Sequence, residues 1–228
     1  MNSVDDARRG VLGAAQEMQR RGLVEGTAGN ISARQPDGTI VMTPASVDYG
    51  DMQLDDLVVV DEAGETLAAK IGRSPSSEMM LHVACYRAFD DVGSVIHSHP
   101  VYATMFAVAH LGIPACIDEF AMYVGGDVHC TVYAPSGSPS VGEEAVQALR
   151  GRGAALIANH GLVAVGPDPA AAFHITALVE RSAQIIWGAR ALGSLHPLPE
   201  SVNDAFAGRY LRMRRNPASW RPDPNGDA

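Results

Sequence analysis

The sequence predicts an α/β protein of three layers, and three observations predict it. Residues 4 to 21 carry apolar side chains at helical spacing, residues 29 to 60 break into short β-rich pieces, and later strand-like runs have helical stretches between and after them. A β-rich centre with helices before, between and after it is not a clean βαβ repeat.

The first helix follows from Val4, Ala7, Val11, Ala14, Ala15 and Met18 recurring on one face, with arginines and glutamates between them, and it should end near Gly22. "NISAR", "TIVMT" and "DLVVVD" then read as strands, punctuated by "PDG" and "TPAS". In "RSPSSEMMLHVACYRAF", Ser74 suits an N-cap and Pro75 a first helical position, where the missing N–H costs nothing. "GSVIHSHP" reads as a buried strand, and Pro100 opens a helix stopping at Gly112. Residues 154 to 166 are two short strands broken at "NHG". Asp168 and Pro169 start a long helix that Gly193 can cap. The tail 215–228 is Pro-rich and polar and is expected to be flexible.

The 228 residues suit one domain, and a composition 46% apolar and 19% charged is that of a globular protein. A formal charge of -9 argues against a nucleic-acid or anionic-membrane surface, since both need clustered Lys and Arg, and leaves small molecules or proteins as partners. No run approaches the roughly 20 apolar residues that span a bilayer, and the N-terminus lacks the apolar core of a signal peptide, so a cytoplasmic protein is expected. Cys85, Cys116 and Cys130 are odd in number and lack C-x-x-C spacing, which suggests neither a disulfide framework nor a thiolate metal site.

Residues two apart on a strand share a face, so His97 and His99 in "VIHSHP" can converge on one metal ion, or can each be a hydrogen-bonded strand-end histidine. His160, in "IANHGLV", is a third candidate ligand or a turn histidine. Glu78 is a fourth, or a carboxylate placed to complement a helix dipole. Three histidines with one replaceable ligand are the pattern of a catalytic metal site. "GTAGNIS" offers glycines that let backbone N–H groups approach a ligand, with Thr27 and Asn30 as side-chain donors. "SPSSE" adds Ser76 and Ser77 at a helix N-terminus, which attracts anions or simply caps the helix. His82, His110, His129, His174 and His196 have no partner of useful spacing and read as structural or surface histidines.

"GTAGNISAR", "TPAS", "SPSSE", "HSHP" and "NHGL", in this order and at these separations, resemble the class II aldolase/adducin family over about residues 4 to 195. The resemblance implies a single α/β/α domain, here residues 1–214, built on a mainly antiparallel sheet, in a homotetramer with active sites between subunits. It implies Zn2+, or another divalent transition metal, on His97, His99 and His160, with Glu78 as a ligand of the empty enzyme and its general acid/base. Thr27, Gly29, Asn30, Thr43, Ser46, Ser76 and Ser77 would line the substrate site, and Tyr210 matches a catalytic tyrosine in the C-terminal segment. The adducin branch lacks the histidines, and the related 4-epimerases carry Asp where this chain has Glu78. Both differences favour a lyase.

Two departures stand out. Ser46 replaces a glycine whose backbone approaches phosphate in aldolases that read T-P-[ST]-G, and "CIDEFAMYVGG" has no clean counterpart of their second proton donor, leaving Asp118, Glu119 or Tyr123 as neighbours. The implied reaction is cleavage of a ketose 1-phosphate, such as L-fuculose 1-phosphate, to dihydroxyacetone phosphate and an aldehyde through a metal-stabilised enediolate. The alternatives are decarboxylation of a hydroxy-keto or dihydroxyaromatic acid, and a non-catalytic adducin-like binding role.

Overall fold

A computed structural model describes residues 3–216 and Trp220. One eight-stranded sheet forms its centre, in the order β4-β3-β2-β1-β5-β8-β7-β6. The strands are β1 (Asn30–Arg34), β2 (Ile40–Met42), β3 (Val58–Val60), β4 (Thr66–Ala68), β5 (Ser94–Ser98), β6 (His129–Cys130), β7 (Ala154–Ile157) and β8 (Gly161–Gly166). Every pairing is antiparallel except β6 with β7.

Among the described residues the α-helices are α1 (Val4–Arg20), α2 (Met79–Ala88), α3 (Val101–Val108), α4 (Asp118–Val124), α5 (Pro139–Ala148), α6 (Pro169–Ala191) and α7 (Glu200–Arg215). Strand parity assigns the layers, because successive side chains point to opposite faces. Ile40, Met42, Val95, Ile157, Val163 and Val165 pack against α2 and α5. Ile31, Ala33, Val41 and Ile96 pack against α1, while Leu156, Leu162 and Ala164 pack with α3, α4 and α6. The architecture is therefore the expected three-layer α/β/α arrangement around a mainly antiparallel sheet.

Ser3 caps α1 by accepting from Asp6 N at 3.0 Å, and Asp168 caps α6 by accepting from Ala171 N at 2.8 Å. One start and one stop differ from expectation. Helix α2 begins at Met79 with Glu78 at its N-cap, not near Ser74. The Ser74 carbonyl instead accepts from Ala45 N at 2.9 Å and Pro75 bridges Pro44, so the segment is committed to the "TPAS" turn before a helix can form. Helix α3 stops at Val108, short of Gly112, and His110 adopts a left-handed φ of 53°. Of the expected flexible tail, Arg215, Asn216 and Trp220 are described, and the rest lies outside the described residues. Among those described, no helix is long and apolar enough to cross a membrane.

Candidate active site

Antiparallel pairing places His97 of β5 opposite Asn30 of β1 and Val163 of β8. His97 shares its strand face with Val95, so it points toward the α2 layer. The chain turns sharply after His99 because Glu180 of α6 accepts from Tyr102 N and Ala103 N, at 3.0 and 2.8 Å, and thereby caps the start of α3. His160 occupies the β7–β8 turn. There Asn159 takes a left-handed φ of 57°, its side-chain oxygen lies 2.6 Å from His110 Nε2, and its N–H donates to the Ala107 carbonyl at 3.2 Å.

The three segments meet. Ligand atoms of His97, His99 and His160 all lie within 4.8 Å of one another. His97 Nδ1 is 3.0 Å from the Leu162 carbonyl, to which it donates, and this fixes the tautomer that leaves Nε2 free to ligate. His97 Nε2 and His99 Nε2 are 2.9 Å apart and converge on the same space. Burial, then the neighbouring His97, pushes His99 down to about 4 and lowers His160, so both rings are neutral near pH 7, the form a metal requires. The donor set fits a divalent transition ion.

Glu78 closes the cluster. Its Oε2 lies 3.1 Å from His97 Nε2 and its Oε1 3.4 Å from His160 Nε2. Asn30 Nδ2 donates to Oε2 at 3.1 Å, and Ser136 Oγ donates to Oε1 at 3.2 Å. Burial favours protonation of this carboxyl, but the adjoining His97 and His160 rings and the Asn30 amide outweigh it and hold Glu78 well below the usual carboxylate range.

The expected anion-binding turns are laced together beside this carboxylate. Ile31 N donates to Thr43 Oγ1 at 3.1 Å, Tyr49 OH donates to the Gly29 carbonyl at 2.6 Å, and Ser76 Oγ accepts from Glu78 N at 3.2 Å. Gly29 has φ 76°, and a Cβ there would meet the His97 carbonyl at 2.8 Å, so only glycine fits. Ser46 holds φ 58°, keeping a glycine-like backbone with a side chain attached. Thr27, Ser46 and Ser77 are exposed, and Ser76 is buried. The Asn30 carboxamide lies between His82 and Glu78 and is engaged by both.

Other expected residues are not brought to the cluster. Tyr210 is fully buried under α4, with its hydroxyl near Gly153. Gly153 precedes β7 whereas His160 follows it, so the phenol lies at the opposite end of that strand; burial also pushes it up to about 12. Asp118 and Glu119 are exposed on α4, and Tyr123 packs edge-on against His174. Two residues at the site were missed by sequence reasoning. Ser136 sits in a polar loop without a motif, whereas His82 carried a usable signal, lying one helical turn after Glu78.

Residues 9–187 match the family model described as Class II Aldolase and Adducin N-terminal domain. The chain is 34% identical over 192 residues to a 5-methylthioribulose-1-phosphate/5-deoxyribulose-1-phosphate aldolase of Rhodospirillum rubrum, covering 84% of this chain and 85% of that protein. It is 33% identical over 177 residues to an L-fuculose phosphate aldolase of Escherichia coli, covering 78% and 80%. A solved L-fuculose 1-phosphate aldolase superposes with a TM-score of 0.86 at 30% identity, covering 92% of this chain and 98% of that one. With the matched family model spanning most of the sequence and the relatives alike in both sequence and fold, this chain belongs to the class II aldolase and adducin family.

Proposed function

We propose that the chain is a zinc-dependent aldolase that cleaves a ketose 1-phosphate to dihydroxyacetone phosphate and an aldehyde. The observation that carries this reading is the position of the Glu78 carboxyl, set against His97 and His160 and beside the turns at residues 26–32 and 74–77. A zinc ion on His97, His99 and His160 would supply Lewis acidity to a ketone oxygen. Glu78 is the group placed to move a proton at the carbon next to that ketone, and Asn30 and Ser136 hold the carboxylate until substrate displaces it. Thr27, Ser76, Ser77 and the backbone N–H groups of these turns are the donors for phosphate.

The relatives' named substrates support the substrate class. Methylthioribulose, deoxyribulose and fuculose 1-phosphates share a C1 phosphate and a C2 ketone, and they differ in the half that leaves as the aldehyde. Part of the substrate wall is proposed to come from a neighbouring subunit of a cytoplasmic homotetramer. Val101, Met105, Val108 and Leu111 leave an exposed apolar stripe along α3 and just past its end, beginning two residues after His99, which supports such a surface.

Incubating the zinc-loaded protein with these ketose 1-phosphates should release dihydroxyacetone phosphate, read by coupled reduction, and a chelator should abolish the release. No release from any of them would overturn the reading. One observation favours a second reading, decarboxylation of a hydroxy-keto or dihydroxyaromatic acid: the Ser46 side chain occupies the turn where aldolases keep a glycine for phosphate. Carbon dioxide release from such an acid, with no aldehyde from the phosphates, would establish it.

A further inference from the structure

The α2 face of β1 is polar, whereas Ile40, Met42, Val95, Val163 and Val165 on the same face of neighbouring strands are apolar. Ile31 and Ala33 turn toward α1, while Asn30 and Ser32 turn toward α2, each almost completely buried. From α2 and its N-cap, Glu78, His82 and Tyr86 answer them at a spacing of four residues. Four residues of helix rise about 6.0 Å and two residues of strand about 6.7 Å, so the two rows stay in step.

The hydrogen bonds form one continuous chain. Tyr86 OH lies 2.8 Å from Ser32 Oγ, Ser32 Oγ 2.6 Å from His82 Nδ1, and His82 Nε2 2.5 Å from Asn30 Oδ1. Asn30 Nδ2 then reaches Glu78 Oε2 at 3.1 Å. Its polarity is determined. The Asn30 amide nitrogen donates to the Glu78 carboxyl oxygen, so its own oxygen faces His82. His82 therefore donates from Nε2 and accepts at Nδ1 from the Ser32 hydroxyl. Burial pushes the His82 pKa down to about 3, which keeps the ring neutral and leaves one donor and one acceptor for these two roles.

We propose that His82 is a positioning residue, whose Nε2–H holds the Asn30 carboxamide with its nitrogen toward Glu78 and so fixes that carboxylate beside His97 and His160. Without this N–H, Asn30 can turn its oxygen toward Glu78, opposing two acceptors and letting the carboxylate swing. The inference deepens the proposed function, on which only its catalytic readout rests.

The test compares His82→Leu, which removes the donor, with His82→Gln, whose amide can replace it, and with Asn30→Ala alone and combined with His82→Leu. His82→Leu should lower kcat roughly 10–100-fold with little change in KM, and should weaken zinc binding by the metal-free protein in chelator competition. His82→Gln should recover most of both. The double variant should be no worse than Asn30→Ala, because His82 acts through Asn30. In NMR spectra of the metal-free protein, the Asn30 side-chain amide protons should lose exchange protection in His82→Leu and keep it in His82→Gln. Additive losses, no recovery by Gln, or unchanged zinc affinity and amide protection in folded His82→Leu would each overturn the proposal. Should His82→Leu not fold, Ser32→Ala removes the donor to Nδ1, together with the partner of the Tyr86 hydroxyl, and must show the same losses more weakly. The zinc and NMR readouts need no substrate, so they stand even if the aldolase reading fails.

Discussion

His97 Nε2 lies 2.9 Å from His99 Nε2, while the opposite nitrogen of His97 donates to the Leu162 carbonyl. A neutral pair shares one proton between these two nitrogens, and ligation of both moves it to His99 Nδ1 without releasing it. Zinc binding should therefore release few protons near neutrality and more as pH falls toward about 4, where His99 becomes protonated in the metal-free protein, measured as a buffer-dependent heat in calorimetry. His97→Ala or His99→Ala should leave a folded protein that loses its zinc on dialysis, as measured by elemental analysis.

Glu78 is the group assigned to proton movement, so Glu78→Gln should reduce kcat by roughly 10²–10⁴-fold. Metal content should persist, since the three histidines remain. Retention of more than about a tenth of wild-type turnover would remove Glu78 from the acid/base role.

Gly161 follows His160 directly, and a Cβ there would meet the Ser98 carbonyl at 2.5 Å and His99 Cδ2 at 2.7 Å. Gly161→Ala should cost about 1–3 kcal/mol in urea unfolding through overpacking. The displaced ring should also weaken zinc binding, and a stability loss with unchanged zinc affinity would show that the backbone yields instead.

The buried His82 ties stability to pH. Its pKa falls from an ordinary 6.5 to about 3 on folding, so between these values the unfolded chain binds more protons than the native one. Stability from this group is complete above the unfolded pKa and declines as pH falls through the interval, by ~1.4 kcal/mol per unit well below it. Unfolding of the metal-free protein should thus show ~2 kcal/mol less stability from this source at about pH 5 than at neutrality. His99, pushed down to about 4, acts with the same sign. His82→Gln should remove the His82 share of the slope.

Tyr210 is enclosed at the far end of β7, so Tyr210→Phe should leave kcat for the ketose phosphates near the wild-type value, within about twofold. A fall comparable to that of Glu78→Gln would return the phenol to the chemistry.

The layers were legible because the core strands alternate between two apolar faces and each long helix carries its own stop or cap, as Asp168 and Gly193 do for α6. His97 and His99 were legible as a pair because they stand two residues apart in an extended run, His97 on β5 and His99 just past its end. The start of α2 was not. Ser74 and Pro75 have the local chemistry of a helix N-terminus, yet the hydrogen bond to Ala45, from a segment about 30 residues earlier in the chain, takes that backbone first. Ser136 was equally hidden, since nothing in a loop sequence says which carboxylate it will face.

The sequence by itself determined the layer pattern, from spacing within each element, and the family resemblance, from five motifs in fixed order, and it offered the three imidazoles as candidates. Only the tertiary structure decided that Glu78 faces two of those imidazoles, that Asn30 is engaged by Glu78 and His82, and that Tyr210 is enclosed. Those outcomes depend on which strand pairs with which, and on β1 and α2 running in step, so that residues some fifty positions apart complete one another's hydrogen bonds.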